Sequence, residues 1–184
     1  MDKELIITYN FKKVYYTLYL MYVFADTSCS IQQKFSVGSY LIIYDIDNAL
    51  ILGDHLYSRI NFTSPIYPSK IVFDGCDSTL SEMKTIKYIL ELIHNLYSLD
   101  YYKNLFPKII YTDCLEIIRV LKNKKFWVEN TIQRNIINLV DFMGINVEWL
   151  EGHSKNNFTI KNQIFRVVDK HSKSERKRIE KMRI

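Results

Sequence analysis

Apolar positions recur along this chain with two different periods. Residues 15–25 (YYTLYLMYVFA) form a nearly unbroken run rich in β-branched and aromatic side chains, which predicts a buried central strand. Residues 35–44 (FSVGSYLIIY) predict a second strand, and the polar stretch 26–34 between them fits a hairpin connection. A turn is expected at 45–48. Residues 49–69 are ambiguous, with room for another strand followed by an excursion through Pro65 and Pro68. Residues 70–73 (KIVF) look like a short strand, closed by Asp74 and Gly75. The period then changes. Met83, Ile86, Ile89, Leu90, Ile93 and Leu96 recur at helical spacing and predict a long helix over 79–97.

The second half alternates short strands with helices. Residues 108–112 (KIIYT) predict a strand. Residues 113–122 predict a helix with Leu115, Ile118 and Leu121 on one face, and 130–143 another with Ile132, Ile136, Leu139 and Val140. Gly144 suits its C-terminal cap, because glycine tolerates the left-handed conformation. Residues 145–150 (INVEWL) predict a fifth strand, 151–157 a polar loop, and 160 onward a helix with Ile160, Ile164, Val167 and Val168 as its apolar face. The order is β-β-β-α-β-α-α-β-α. Short connections make the opening strands antiparallel, and helical crossovers make the later ones parallel. The expected architecture is an α/β fold, a mixed five-stranded sheet with helices packed on it.

Composition narrows the class. With 184 residues and 48% apolar content, the chain can build one sizeable core. The net charge is +5, and it is local: residues 170–184 hold seven basic and two acidic side chains, leaving 18 of each sign in 1–169. Such a basic end suits a polyanion, and equally a solvated helix end. Cys29, Cys76 and Cys114 form no CxxC pair and are odd in number, which points away from a disulfide framework or zinc site and toward a reducing cytosol. The apolar run at 14–24 is shorter than the roughly 20 residues that span a bilayer and lacks a small-residue cleavage site, so no membrane segment or signal peptide is expected.

Four acids fall near element ends: Asp26 after the first strand, Glu82 in the first turn of the long helix, Asp113 after the KIIYT strand, and Asp169 on the last helix. Carboxylates suit Mg²⁺ or Mn²⁺, hard cations that prefer oxygen. Two such ions about 4 Å apart can bracket a phosphodiester. Each acid also has an ordinary explanation. Thr79-x-x-Glu82 and Asp113-x-x-Glu116 both match a capping box, Asp26 fits a turn, and Asp169 fits a solvated helix face.

Five short motifs occur in order. They are Asp26-Thr27-Ser28-Cys29, Ser81-Glu82-Met83, Tyr111-Thr112-Asp113-Cys114, Trp149-Leu150-Glu151-Gly152-His153-Ser154, and Val167-Val168-Asp169-Lys170. In this order the chain resembles the ribonuclease H family, in its cellular and retroviral branch. There a carboxylate stands at the first strand, a Glu opens the first long helix, T-D-S ends the fourth strand, W-x-x-G-H follows the fifth, and an Asp lies on the closing helix. The resemblance covers roughly residues 18–175, leaving 1–17 as an extension or arm and 176–184 as a basic tail. It implies a metal-dependent endonuclease that hydrolyses the RNA strand of RNA–DNA hybrids and leaves a 5′-phosphate. It further implies two Mg²⁺ or Mn²⁺ ions: Asp26 bridging both, Asp169 completing the nucleophile side, and Glu82 and Asp113 holding the leaving-group side. His153 would assist metal exchange or product departure.

The pattern departs where the family reads the 2′-hydroxyl. Ser30-Ile31-Gln32-Gln33-Lys34 replaces a glycine-rich stretch, Thr27 replaces the usual Gly, Ser78 and Thr79 stand where Asn is common, and Leu115 stands where Gln is common. The basic handle insertion is absent, with Lys122, Lys124 and Lys125 and the C-terminal tail available for backbone contacts. Two alternatives therefore stand beside hybrid cleavage: a nuclease for DNA or structured RNA, and a non-catalytic nucleic-acid-binding module.

Overall fold

A computed structural model describes residues 21–43, 46–47, 49–52, 55–58, 61–97, 107–123, 130–152 and 159–183. Five strands make the main sheet: β1 (Met21–Ser30), β2 (Phe35–Ile43), β6 (Ser69–Asp74), β7 (Pro107–Thr112) and β8 (Asn146–Trp149), in the order β6-β2-β1-β7-β8. β2 pairs antiparallel with β1 and β6, while β7 runs parallel to β1 and β8. This is the mixed sheet the connection lengths predict. Helices α1 (Ser78–Tyr97), α2 (Leu115–Lys122), α3 (Thr131–Met143) and α4 (Ile160–Met182) complete the described elements of the domain.

The ambiguous stretch after β2 forms three short strands, β3 (Ala49–Leu52), β4 (His55–Ser58) and β5 (Asn61–Ile66). They pair as a separate sheet in the order β3-β4-β5. It buries Ala49 and Leu56 against the main domain, so it is part of the core and not a loose excursion.

Strand alternation divides the core in two, because successive side chains leave opposite faces of a sheet. Val23 and Ala25 of β1 and Ile110 of β7 pack with Met83, Ile86 and Leu90 of α1 and with Ile136 and Val140 of α3. Phe24 and Tyr111 face the other way and pack with Ile164, Phe165 and Val168 of α4. Their rings stack at 5.0 Å. Gly38 of β2 lets α1 approach the sheet: a Cβ there would lie 2.3 Å from Thr85 Oγ1.

Three local expectations need correction. β1 does not stop at Ala25. It runs to Ser30, with Asp26, Thr27, Ser28 and Cys29 paired to Ser39, Gly38, Val37 and Ser36. The polar side chains read as a hairpin connection are tolerated in the strand because helices supply their partners: Thr85 for Thr27 at 2.9 Å and Arg176 for Ser28 at 2.9 Å. The N-terminal cap of α1 is Asp77, whose Oδ1 accepts from the Leu80 N–H at 2.7 Å, not the Thr79–Glu82 box. Helix α2 starts at Leu115 with Cys114 as its N-cap residue and no side-chain cap, so Asp113 lies outside the helix. By contrast Gly144 caps α3 as expected, at φ 63°.

The basic end of the chain continues α4 to Met182 and is docked. Gln33 Nε2 donates to the Glu180 carbonyl at 3.0 Å, and the Arg183 guanidinium lies over the Phe35 ring at 4.5 Å. No described helix is long and apolar enough to cross a membrane.

Candidate active site

The two strand acids come together through register. Phe24 of β1 stands opposite Tyr111 of the parallel strand β7. Two residues further along, Asp26 falls beside Asp113, just past the end of β7. This is the carboxyl end of the parallel strands, with antiparallel β2 on one side of β1 and parallel β7 on the other. Ligands of open α/β sheets bind outside the carboxyl ends of the strands.

Asp26 shares a face with Phe24 and points at α4. It is 7% exposed, and the Ser172 hydroxyl donates to its Oδ2 at 2.5 Å. Burial is the main reason its carboxyl is pushed up to about 7. The Ser172 hydrogen bond opposes that rise, and the charges of Asp113 and Asp169 add to it. Asp169 sits one helical turn from Ser172, and its Oδ1 pairs with Lys173 Nζ at 2.6 Å.

Glu82 approaches from α1. Burial raises its carboxyl above the usual range, the Cys114 thiol donates to it, and the charges of Asp113 and Asp77 push it further up. The Cys114 thiol is correspondingly held up to about 12, chiefly by burial and then by Glu82. Glu82 and Asp113 both line a cleft of about 580 Å³ between the N-terminal ends of α1, α2 and α3, together with Thr79, Leu115 and Arg119.

The segment after β8 fixes Asp113. Leu150 N–H donates to the Thr112 carbonyl at 2.9 Å, and the Trp149 indole N–H to the Asp113 carbonyl at 3.2 Å. Gly152 abuts the carboxylate itself: a Cβ on Gly152 would lie 2.4 Å from Asp113 Oδ2. Thus Trp149 and Gly152 of the W-x-x-G motif have a physical role, one anchoring the backbone of the acid and the other leaving room for its side chain. His153 lies outside the described residues, as do Lys124 and Lys125.

The four acids therefore form an electrostatic chain, Glu82 to Asp113 to Asp26 to Asp169, each neighbour acting on the next. Asp26, Glu82 and Asp113 do not serve the turn and capping roles that their sequence context offered, whereas Asp169 makes the ion pair of an ordinary helix-face acid with Lys173. Among the described residues, no group of three or more His, Cys, Asp or Glu side chains is arranged to hold a metal ion as it stands. Ser172, Lys173 and Cys114 engage the carboxylates instead. The donor set itself is all oxygen and carries up to four negative charges, which fits hard divalent cations. The carboxyl of Asp26, raised in part by its acidic neighbours, marks a place where added positive charge is favoured. Sequence reasoning missed Ser172, Lys173 and Cys114. Only the one-turn spacing of Lys173 from Asp169 was visible in advance.

No protein-family model matches the chain, and no curated protein matches it. Its structure is similar to the native protease–reverse transcriptase of prototype foamy virus, with TM-score 0.54 and 11% identity over 86% of this chain and 21% of that one. The fold is ribonuclease H-like. A second similarity is to the foamy viral protease–reverse transcriptase in complex with dsDNA, with TM-score 0.49 and 13% identity over 84% of this chain and 94% of that one. The chain spans about a fifth of the length of the first of these proteins. On this ribonuclease H-like sheet, the acids lie on the central strand, just past the end of its parallel neighbour, and on α1 and α4.

Proposed function

We propose that the protein is a metal-dependent endonuclease that hydrolyses the RNA strand of RNA–DNA hybrids. The observation that carries this reading is the juxtaposition of Asp26 and Asp113 at the carboxyl edge of a ribonuclease H-like sheet, with Asp113 seated against Gly152. Asp26, Glu82, Asp113 and Asp169 would hold two divalent cations, Mg²⁺ or Mn²⁺. When bound, these supply Lewis-acid stabilisation of the phosphoryl charge and a lowered pKa for water. The protein's own groups set up that chemistry. Ser172 holds the Asp26 carboxylate toward the shared edge, Cys114 orients Glu82, and Trp149 pins the backbone of Asp113. Lys173 supplies the counter-charge to Asp169 before metal is bound. His153 keeps the product-release role that the motif order implies.

A second reading has the same chemistry act on DNA or structured RNA. It is favoured by Leu115, half exposed in the cleft at a position where a hydrogen-bonding side chain would read the 2′-hydroxyl. Both readings are tested by end-labelled RNA–DNA hybrid, duplex DNA and duplex RNA, incubated with Mg²⁺ and separately with Mn²⁺, wild type beside Asp113→Asn. Hybrid cutting by wild type alone supports the first reading. Cutting of the other duplexes supports the second, and no cutting of any substrate overturns both.

A further inference from the structure

Helix α4 carries a feature that the carboxylate chemistry does not use. Arg166, Lys170, Lys173, Lys177 and Lys181 are all exposed and stand at positions i, i+4, i+7, i+11 and i+15. At 100° per residue these five fall within about 80° of one another, so they form one stripe along the helix. The opposite side of α4 is the core side, with Ile164, Phe165 and Val168 buried. At 1.5 Å per residue the stripe is about 22 Å long. Its middle meets the acids, because Lys173 pairs with Asp169. From there it runs about 12 Å further, past the β1–β2 turn, to Lys181.

The platform under the stripe is held in place. Arg176 Nε donates to Ser28 Oγ at 2.9 Å, Gln33 donates to the Glu180 carbonyl, and Arg183 covers Phe35. The acids on this half of the helix are already engaged: Glu175 with Lys70 and Arg178, and Glu180 with Arg176 at 2.7 Å.

We infer that this stripe is a backbone-binding track for a nucleic-acid duplex, extending the substrate surface beyond the carboxylates toward the β1–β2 turn. A duplex rises about 3.4 Å per base pair along its axis, so the stripe is as long as roughly six base pairs. Lysine and arginine on phosphates position a duplex without reading its sequence. The track therefore does not itself tell hybrid from DNA. The position of the track relative to a cutting site rests on the nuclease reading; its binding does not.

The test is fluorescence anisotropy of the 184-residue protein with a labelled hybrid of 18 base pairs, in EDTA to prevent cutting, between 50 and 200 mM KCl. Lys177→Ala/Lys181→Ala is compared with wild type and with the charge-matched Lys87→Ala/Arg134→Ala, which lies on α1 and α3. Alanine favours the helix, and thermal melts confirm that each variant folds. The expected result is about a tenfold loss of affinity and a salt slope shallower by about two for the Lys177→Ala/Lys181→Ala variant, with the control variant little changed. Equal behaviour of the two double variants overturns the track, as does a loss confined to vesicles of anionic phosphatidylserine run in parallel. Absence of any duplex binding by wild type at 50 mM KCl also overturns it. A cleavage assay run beside these separates the two ideas. Cutting with no effect of Lys177 and Lys181 removes the track and leaves the nuclease, whereas the expected binding pattern without cutting by wild type removes the nuclease and leaves the track.

Discussion

The two faces of the main sheet use the same strands for different ends. Toward α1 and α3, β1 sends Val23 and Ala25 into a layer of aliphatic side chains. Toward α4, the same strand sends Phe24 into an aromatic and aliphatic core and then Asp26 into a polar one. There Ser172 binds Asp26, and Ser39 shares a hydrogen bond with His171 at 2.8 Å. His171 is held below its ordinary range mainly by burial, which keeps this network from gathering charge of its own. One face maximises apolar burial. The other spends part of its area holding a carboxylate where it is costly to ionise. A site of this kind needs the first face as a rigid backing, since well-packed cores yield little.

The contrast can be broken from either side. The largest effect is expected at Asp113→Asn, which should cut hydrolysis of a labelled hybrid on the order of 10⁴-fold, or between about 5 and 6 kcal/mol of barrier, with an unchanged melting curve. Retained cleavage would remove Asp113 from the site.

Next comes pH. Asp26 rises from 3.8 to about 7 in the fold, so its protonated form is the one the fold favours. Its contribution is fully present below about pH 4 and is lost as pH rises through about 7, a span worth at most about 4 kcal/mol. Urea unfolding in EDTA should therefore show falling stability between pH 4 and 8, and Asp26→Asn should flatten that fall. Parallel curves for the two proteins would contradict the assignment.

On the apolar face, Leu90→Ala should cost about 3 kcal/mol of stability, because Leu90 is fully buried, while activity per folded molecule stays near wild type. Gly152→Ala should do the reverse. Its new Cβ meets Asp113 Oδ2, and a displacement of about 1 Å at a reacting centre costs on the order of 10²-fold in rate. A normal rate for Gly152→Ala would mean that Asp113 can shift freely. The smallest effect is expected at Ser172→Ala, about a tenfold weaker affinity for Mn²⁺ by calorimetry with the fold intact. Unchanged affinity would make the Ser172 bond purely structural.

Periodicity alone was enough for the long helices and for the order of the main-sheet strands along the chain. Met83 to Leu90 on α1, and Ile136 and Val140 on α3, alternate with polar residues at helical spacing because each helix buries one stripe, and that pattern is written locally. Gly144 was equally legible, since a helix stop at a left-handed residue is a local event. The small sheet β3-β4-β5 was not. Its strands are about four to six residues long and carry no longer pattern to separate them from a turn-rich excursion. Nor was the continuation of β1 through Asp26, because a polar run reads as a connection until helices arrive to satisfy it.

The sequence by itself determined which acids stand in the order of the resemblance, and that the chain alternates strands and helices in a way that brings β7 parallel to β1. Tertiary structure decided what surrounds those acids. Asp113 and Glu82 each matched a capping signature, and only the fold, by giving the caps of α1 and α2 to Asp77 and Cys114, left both carboxylates to the shared cleft. The partners of Asp26 and Glu82 come from elements distant in sequence: Ser172 lies 146 positions from Asp26, and Cys114 comes from a different element than Glu82. Periodicity encodes a residue's own neighbourhood. Convergence of like charges at one edge costs energy locally and is supported only by groups that packing brings there, so no local pattern could announce it.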